Sequence, residues 1–524
     1  MFDIIIKNGT IIDGAGKKKF QGDIGITDNK IEAIDNIKGA QGRRIIDAKG
    51  LFVTPGFIDI HNHSDSFWSL FIEPRLESLV RQGITTIICG NCGSSLAPLI
   101  KASAIESIQK WADIRKVNIN WLKLKELFRE LKRRKIGVNF GTLVGHATLR
   151  RGLLKDEVRP ITEKEIKIMI RMLEEALREG AFGMSTGLIY SHARLATTEE
   201  IIKLAETVKK CQGIYTSHIR GEDRELLPAI NETIMVGEAS KVSVEISHLK
   251  AIGKKSWPDM IKGIRMIEVA SKGGLDINFD VYPYTITGSV LYALLPSWVA
   301  EGGKKILISR LKDPVIKAKV ISEMQRNRYE YDKIIISICP ANKDIIGKQI
   351  SEIAAFQKVS VEEAIINTLI TSNGQVICFN NVLSEKNVRM ALKHPLSLVG
   401  TNGAGYNLQH AKSGELVHPR CFGAFPRVLG KYVRQEKLLK WEEAINKMTG
   451  KPADKLKLKK RGFLKKGYFA DITIFNPKTI IDKATFENPY QYPEGIEYVI
   501  INGKIVVEKG KHTGVMAGTV LQKE

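Results

Sequence analysis

A chain of 524 residues is too long for one ordinary hydrophobic core, so two or three domains are expected. Its 43% hydrophobic and 26% charged residues are ordinary for a soluble globular protein and argue against a disordered chain. Lys+Arg 80 against Asp+Glu 57 leaves a net +23, but the excess is scattered in short clusters such as Lys132-Arg133-Arg134-Lys135 and residues 455–461. No array of aromatic and basic residues accompanies them, so they read as solvated surface and no nucleic-acid partner is expected.

The chain opens Met1-Phe2-Asp3-Ile4-Ile5-Ile6-Lys7-Asn8-Gly9, a strand running into a turn with an acid at position 3. It has no basic leader and no long apolar stretch, so secretion and membrane spanning are not expected and the cytoplasm is the default location. The six cysteines, at 89, 92, 211, 339, 378 and 421, are too dispersed for a disulfide framework. Residues 1–54 alternate short β-type runs with turn signals, Asn8-Gly9 and Asp13-Gly14 reading as hairpins. Residues 463–524 do the same, with Ile472-Thr473-Ile474-Phe475, Tyr498-Val499-Ile500-Ile501, Asn502-Gly503 and Ile505-Val506-Val507. A small β-sandwich assembled from both ends is the simplest account.

Between them, residues 55–462 alternate strands with amphipathic helical patterns, the signature of βα units. Eight strands are predicted, ending near Ile60, Ile88, Val144, Gly187, Ser217, Ser247, Tyr282 and Gly400. The helix Glu163–Arg178 is a clear intervening example, with Ile166, Ile170, Leu173, Ala176 and Leu177 at helical spacing. The expected fold class is therefore α/β, a (β/α)8 TIM barrel. More than a hundred residues separate the seventh and eighth strands, so an insertion is expected there, with residues 287–345 as a subdomain leaning over the rim.

Five of the ten histidines and one cysteine follow predicted strands: His61, His63, Cys92, His146, His218 and His248. Singly these are bland. Two histidines flanking one position are often polar surface, and a lone buried cysteine is usually a small hydrophobe. Jointly they lie where parallel strands open on one rim, and imidazole with thiolate is the donor set that zinc prefers.

Pro55-Gly56-Phe57-Ile58-Asp59-Ile60-His61-Asn62-His63 resembles the first-strand motif of the amidohydrolase superfamily. Gly83-Ile84-Thr85-Thr86 through Gly90-Asn91-Cys92-Gly93 narrows the resemblance to the D-aminoacylase (N-acyl-D-amino-acid deacylase) branch. So do Val144-Gly145-His146, Ser185-Thr186-Gly187-Leu188-Ile189-Tyr190, Thr216-Ser217-His218-Ile219-Arg220, Ile246-Ser247-His248-Leu249-Lys250, Asp280-Val281-Tyr282-Pro283-Tyr284 and His418-Pro419-Arg420. The likeness covers essentially the whole chain in order.

The resemblance implies a tightly held zinc ligated by Cys92, His218 and His248, and a second, weaker position at His61 and His63, with His146 a further candidate. It also implies that Lys250, Tyr282 and Arg420 hold a substrate α-carboxylate, and that Tyr190 and Ser289 line the pocket. The implied reaction is hydrolysis of a linear amide in a small-molecule substrate, most plausibly an N-acyl-D-amino acid. A hydantoinase- or dihydroorotase-like hydrolase of cyclic amides is the alternative, and the absence of lysine from residues 181–190 argues against it.

One departure stands out. The carboxylate that serves as general base in this family ends the eighth strand, and here the turn reads Val399-Gly400-Thr401-Asn402-Gly403. An amide cannot shuttle a proton at neutral pH. Three readings follow: a slow or non-catalytic zinc- and ligand-binding relative; a substitute base among Glu222, Asp223 and Asp65; or partial deamidation at Asn402-Gly403. Residues 405–417 are also longer than expected.

Overall fold

The computed structural model describes residues 1–523 except 36, 38, 103–104, 106–116, 156, 158, 191–192, 302 and 328. The middle of the chain is the expected (β/α)8 barrel. Its parallel strands run in chain order: Phe57–Asp59, Ile84–Cys89, Asn139–Thr142 continued by Val144–Gly145, Gly183–Gly187, Ile214–His218, Ser243–Ile246, Ile277–Val281 and Ser397–Val399. The third strand is interrupted at Leu143, whose N–H donates to Cys89 O at 2.9 Å. Between the eighth and first strands, Asn62 and Gly403 form a parallel bridge, flanked by Asn402 N to His61 O (2.8 Å) and His63 N to Gly403 O (2.7 Å).

Glu163–Arg178 is a helix, as its spacing predicts. Thr162 caps it by accepting from Glu165 N, and Glu165 reaches back to the Thr162 N–H in a capping box. Its buried face carries Ile166, Met169, Leu173, Ala176 and Leu177. Burying Leu173 fully contributes about 1.5–3 kcal/mol. Leu173→Ala would cost about 2–5 kcal/mol, because the cavity left behind adds to the lost transfer energy.

Both chain ends do join. Phe52–Pro55 pairs antiparallel with Ile472–Phe475, knitting nine strands into one hydrogen-bonded sheet rather than two separate ones. Phe2–Ile11 is the branch point, pairing with Phe20–Thr27 on one edge and with Gly42–Asp47 and Phe52–Pro55 on the other. Side chains from both ends, Ile6, Ile24 and Val53 with Ile472 and Ile500, share one buried cluster. Asn502-Gly503 is the turn its sequence predicts, with both residues at positive φ (48° and 75°).

Three expectations are corrected. Asn8-Gly9 is no hairpin: the strand runs through it, with a bulge between Ile6 and Gly9 that Asn8 permits at φ 59°. Asn8 also donates its backbone N–H to Asp23 and its side-chain amide to Asp47, which ties it into the sheet. The insertion starts as predicted but continues past residue 345. Ile286–Val290, Ile335–Ile338 and Ile377–Asn381 form an antiparallel sheet, and a separate buried core extends from Leu291 to Cys378. Helices Ile350–Gln357 and Val361–Thr371 turn Ile350, Ile353, Ile365 and Leu369 into that core, not onto the barrel. The last residues leave the terminal sheet for the barrel, where Phe140 N donates to Thr519 O and Lys523 N to Gly180 O. Among the described residues no helix is long and apolar enough to cross a membrane.

Candidate metal centre

Cys92, His61, His63, His218 and His248 converge above the carboxyl ends of strands one, two, five and six, and all are buried. Two donor triads share the thiol: Cys92 with His218 and His248, and Cys92 with His61 and His63, each with its ligand atoms within 4.8 Å of one another. Cys92 Sγ lies 3.4 Å from His61 Nε2, 3.4 Å from His248 Nε2 and 3.7 Å from His63 Nε2. The backbone is bent to achieve this. Cys92, His248 and Asn402 have φ of 53°, 36° and 47°, a region that non-glycine residues seldom adopt and that concentrates at functional sites. The Cys92 turn is held from both sides, by Gly90 N on Asp65 Oδ2 (2.8 Å) and Gly93 N on Ser185 Oγ (3.0 Å).

Charge explains why the cluster suits a cation. Burial alone would push the Cys92 thiol up, but the surrounding His61, His248, His218 and His63 hold it well below its ordinary value. Burial disfavours the His61 cation, yet Asp280 and the Cys92 thiolate hold its pKa well above normal. Imidazoles packed around a thiolate form a soft donor set for a divalent ion.

Carboxylates orient the rings from behind. Asp280 Oδ2 stands 2.9 Å from His61 Nδ1. Glu222 Oε1 is 3.3 Å from His248 Nδ1, 3.5 Å from His218 Nε2, and paired with Lys250 Nζ. Such outer carboxylates fix the tautomer and aim of ligand histidines. Despite its burial, Lys250 and His218 hold the Glu222 carboxyl well below its usual range. Sequence reading assigned no role to Asp280 and took Glu222 only for a spare base. The available signal was a carboxylate embedded in, or just beyond, an apolar strand, where burial demands a partner.

His146 is outside both triads. It begins the helix His146–Leu154, and its Nε2 stands 2.8 Å from Glu200 Oε1, which also accepts from Arg150 Nε at 3.2 Å. With Nε2 engaged by Glu200 and no place in either triad, His146 is corrected from candidate ligand to structural residue. Asp65 is likewise spent on the Gly90 and Ser66 backbone amides and does not line the cavity. Glu222 and Asp223 do line it.

Asn402 stands where the missing carboxylate was expected, with Oδ1 3.0 Å from His63 Nε2. Its position is set by Asp59, which accepts from Thr401 N (2.8 Å), Thr401 Oγ1 (2.6 Å) and Asn62 Nδ2 (2.7 Å). The Gly403 amide donates to Thr401 Oγ1 at 3.0 Å, which opposes its attack on the Asn402 side chain and so opposes deamidation.

The centre opens into a cavity of about 690 Å³ between the barrel rim and the insertion. Lys250, Tyr282, Arg420, Tyr190 and Ser289 all line it, together with His63, His218, His248 and Asn402. Among the described residues Tyr282 Oη and Arg420 Nε have no protein hydrogen-bond partner although buried, and the Arg420 guanidinium lies 4.9 Å over the Tyr282 ring.

Residues 44–230 and 411–507 match the amidohydrolase family. A D-aminoacylase of Alcaligenes xylosoxydans xylosoxydans is 32% identical over 100% of this chain and 98% of its own. An N-acyl-D-aspartate deacylase of the same organism is 33% identical over 98% of this chain and 93% of its own. The structure of an N-acyl-D-glutamate deacylase from Bordetella bronchiseptica, complexed with zinc and a phosphonate mimic of the tetrahedral intermediate, superposes with a TM-score of 0.84. It is 28% identical and covers 99% of both chains. Five buried soft donors at the same rim fit the divalent metal of such enzymes. The chain belongs to the amidohydrolase family, in its D-aminoacylase branch, and is a hydrolase of carbon–nitrogen bonds other than peptide bonds.

Proposed function

We propose that the protein hydrolyses the linear amide of an N-acyl-D-amino acid, releasing a carboxylic acid and a D-amino acid, with zinc held by Cys92, His218 and His248. The observation that carries this reading is the juxtaposition of a buried thiolate–imidazole triad with the unpartnered polar atoms of Tyr282 and Arg420 in one cavity. The D configuration follows the relatives, each named for D-amino-acid substrates.

When bound, zinc polarises the amide carbonyl and lowers the pKa of a water to near neutrality. The protein's own groups do the rest. Arg420, Lys250 and the Tyr282 hydroxyl hold the substrate's α-carboxylate, Arg420 offering a planar fork of donors. That anchor fixes the scissile amide relative to the thiolate triad, the positioning that converts binding into rate. Glu222 and Asp280 keep the ligand rings aimed. Asn402 orients through hydrogen bonds but cannot take up and release a proton, so the rate is reduced by about 10²- to 10⁴-fold relative to a site with a general base. Glu222 shares its Oε1 between Lys250 and the two histidines, an arrangement suited to aiming those rings.

The test is turnover by zinc-loaded protein on N-acetyl-D-amino acids, their L-enantiomers and a hydantoin. Slow release of free D-amino acid alone is expected. Hydantoin opening in preference would overturn the linear-amide reading, and tight binding without turnover would leave a ligand-binding relative.

A further inference from the structure

The relatives do not choose the substrate's side chain by likeness: one is named for D-amino acids in general, one for D-aspartate, one for D-glutamate, at 32%, 33% and 28% identity. We infer that this cavity accepts one carboxylate and an apolar remainder, and so selects N-acyl-D-amino acids with neutral aliphatic or aromatic side chains over the acidic ones. This rests on the functional reading above.

Charge pairing across the cavity wall is the first ground. Six cations line it: Arg194, Arg220, Arg224, Lys250, Arg326 and Arg420. Arg220 is bound to Glu232 through Nε and Nη2 (2.9 and 2.7 Å). Arg194 lies 3.5 Å from Glu225 and also donates to Arg220 O, and Lys250 is paired with Glu222. Arg224 and Arg326 are exposed, and Arg326 turns back onto Ser322 of its own helix. Of these six, Arg420 alone combines burial, at 7% exposure, with the absence of a carboxylate partner among the described residues. Arg420, next to Tyr282 and helped by a Lys250 whose charge is already shared with Glu222, matches one α-carboxylate and leaves no buried cation for a second.

A second carboxylate on the substrate would find the opposite. Asp223 and Glu323 also line the cavity. Asp223 is in no ion pair among the described residues, and Glu323 Oε2 accepts from Trp298 Nε1 at 3.0 Å. Placing an anion beside them is unfavourable, and Arg224 and Arg326, being exposed, are screened by water and offset little of that repulsion.

The apolar surface is the second ground. Leu294, Leu295 and Trp298 of the insertion face the cavity together with Phe67 and Ile189 of the barrel loops. Trp298 is fixed at both ends, its indole N–H on Glu323 and its face under Lys319 Nζ at 4.7 Å. A rigid indole flanked by leucines rewards aliphatic or aromatic groups by excluding water from both surfaces.

Calorimetric titration of the zinc-loaded protein with N-acetyl-D-leucine, N-acetyl-D-phenylalanine, N-acetyl-D-glutamate and N-acetyl-D-aspartate tests this without requiring turnover. The neutral ligands should bind at least about tenfold more tightly, the scale on which apolar pockets discriminate. Leu294→Arg, which places a cation in the apolar wall, should narrow or reverse that ratio. Equal or tighter binding of the acidic pair to the parent protein would overturn the selectivity while leaving the hydrolase reading intact. Failure of all four to bind a fully zinc-loaded protein would overturn the functional reading, and the selectivity with it.

Discussion

His63 Nε2 stands 3.0 Å from Asn402 Oδ1, at the seam where the eighth barrel strand meets the first. The contact occupies the ring nitrogen whichever way the amide is turned, because an amide oxygen needs Nε2–H and an amide nitrogen uses its lone pair. In the second triad, Cys92 with His61 and His63, the Asn402 amide therefore competes with an ion for His63 Nε2. We expect one zinc per chain in the parent protein and up to two in Asn402→Asp, where a carboxylate joins that triad. Elemental analysis after dialysis against micromolar zinc decides it; two equivalents in the parent would refute the argument.

Asn402→Asp should also restore a proton acceptor beside the metal site. Amide hydrolysis is expected to rise by at least about tenfold, within the range a general base contributes. The new carboxylate acts only when deprotonated, so the pH–rate profile should gain an acidic limb on which activity falls as pH drops. Steady-state kinetics across pH on both proteins reads this, and unchanged rates with zinc still bound would favour a binding protein.

Cys92 is the one thiolate shared by both triads. Cys92→Ala removes the anionic donor that balances four imidazoles, and zinc content should fall from about one equivalent to near zero. Retention of stoichiometric zinc by the variant would place the ion elsewhere.

Arg420→Met and Lys250→Met test carboxylate recognition. A hydrogen bond to a charged group is worth about 1.5–3 kcal/mol, so binding of N-acyl amino acids should weaken about ten- to a hundredfold. Binding of the corresponding amides, which carry no charge there, should change little. Equal losses for both ligand types would make these residues merely structural.

His410 provides a stability prediction. It lies between Glu73 (Nδ1 to Oε1, 2.7 Å) and Glu415 (Nε2 to Oε2, 3.2 Å), clasping residues 405–417 to the loop after the first strand. Burial alone would lower its pKa, but the two carboxylates raise it from 6.5 to about 9. A raised folded-state value means the stabilisation is fully present below pH 6.5 and is lost as pH rises through about 9. A shift of this size corresponds to something on the order of 3 kcal/mol. Melting curves between pH 6 and 10 should show this loss in the parent protein and a smaller one in His410→Gln.

The barrel, its helices and the clustering of the candidate metal donors were legible in the chain because each depends on local pattern. Hydrophobic period marked the strands and the helix Glu163–Arg178, and side chains just past parallel strands must share a rim whatever the loops do. Where the decisive partner is distant in sequence, pattern failed. His146 follows its strand as the clustered histidines do, but Glu200, 54 residues on, claims its ring. Helices Ile350–Gln357 and Val361–Thr371 have the amphipathic faces of barrel helices, and only packing against residues such as Leu291 and Leu311 assigns them to the insertion. Asn8-Gly9 has hairpin chemistry, yet pairing on both edges of its strand turns the same left-handed residue into a bulge. Asp280 behind His61 and Glu222 behind His248 came from the fold alone, since an outer carboxylate is defined by the ring it meets and not by its spacing in the chain.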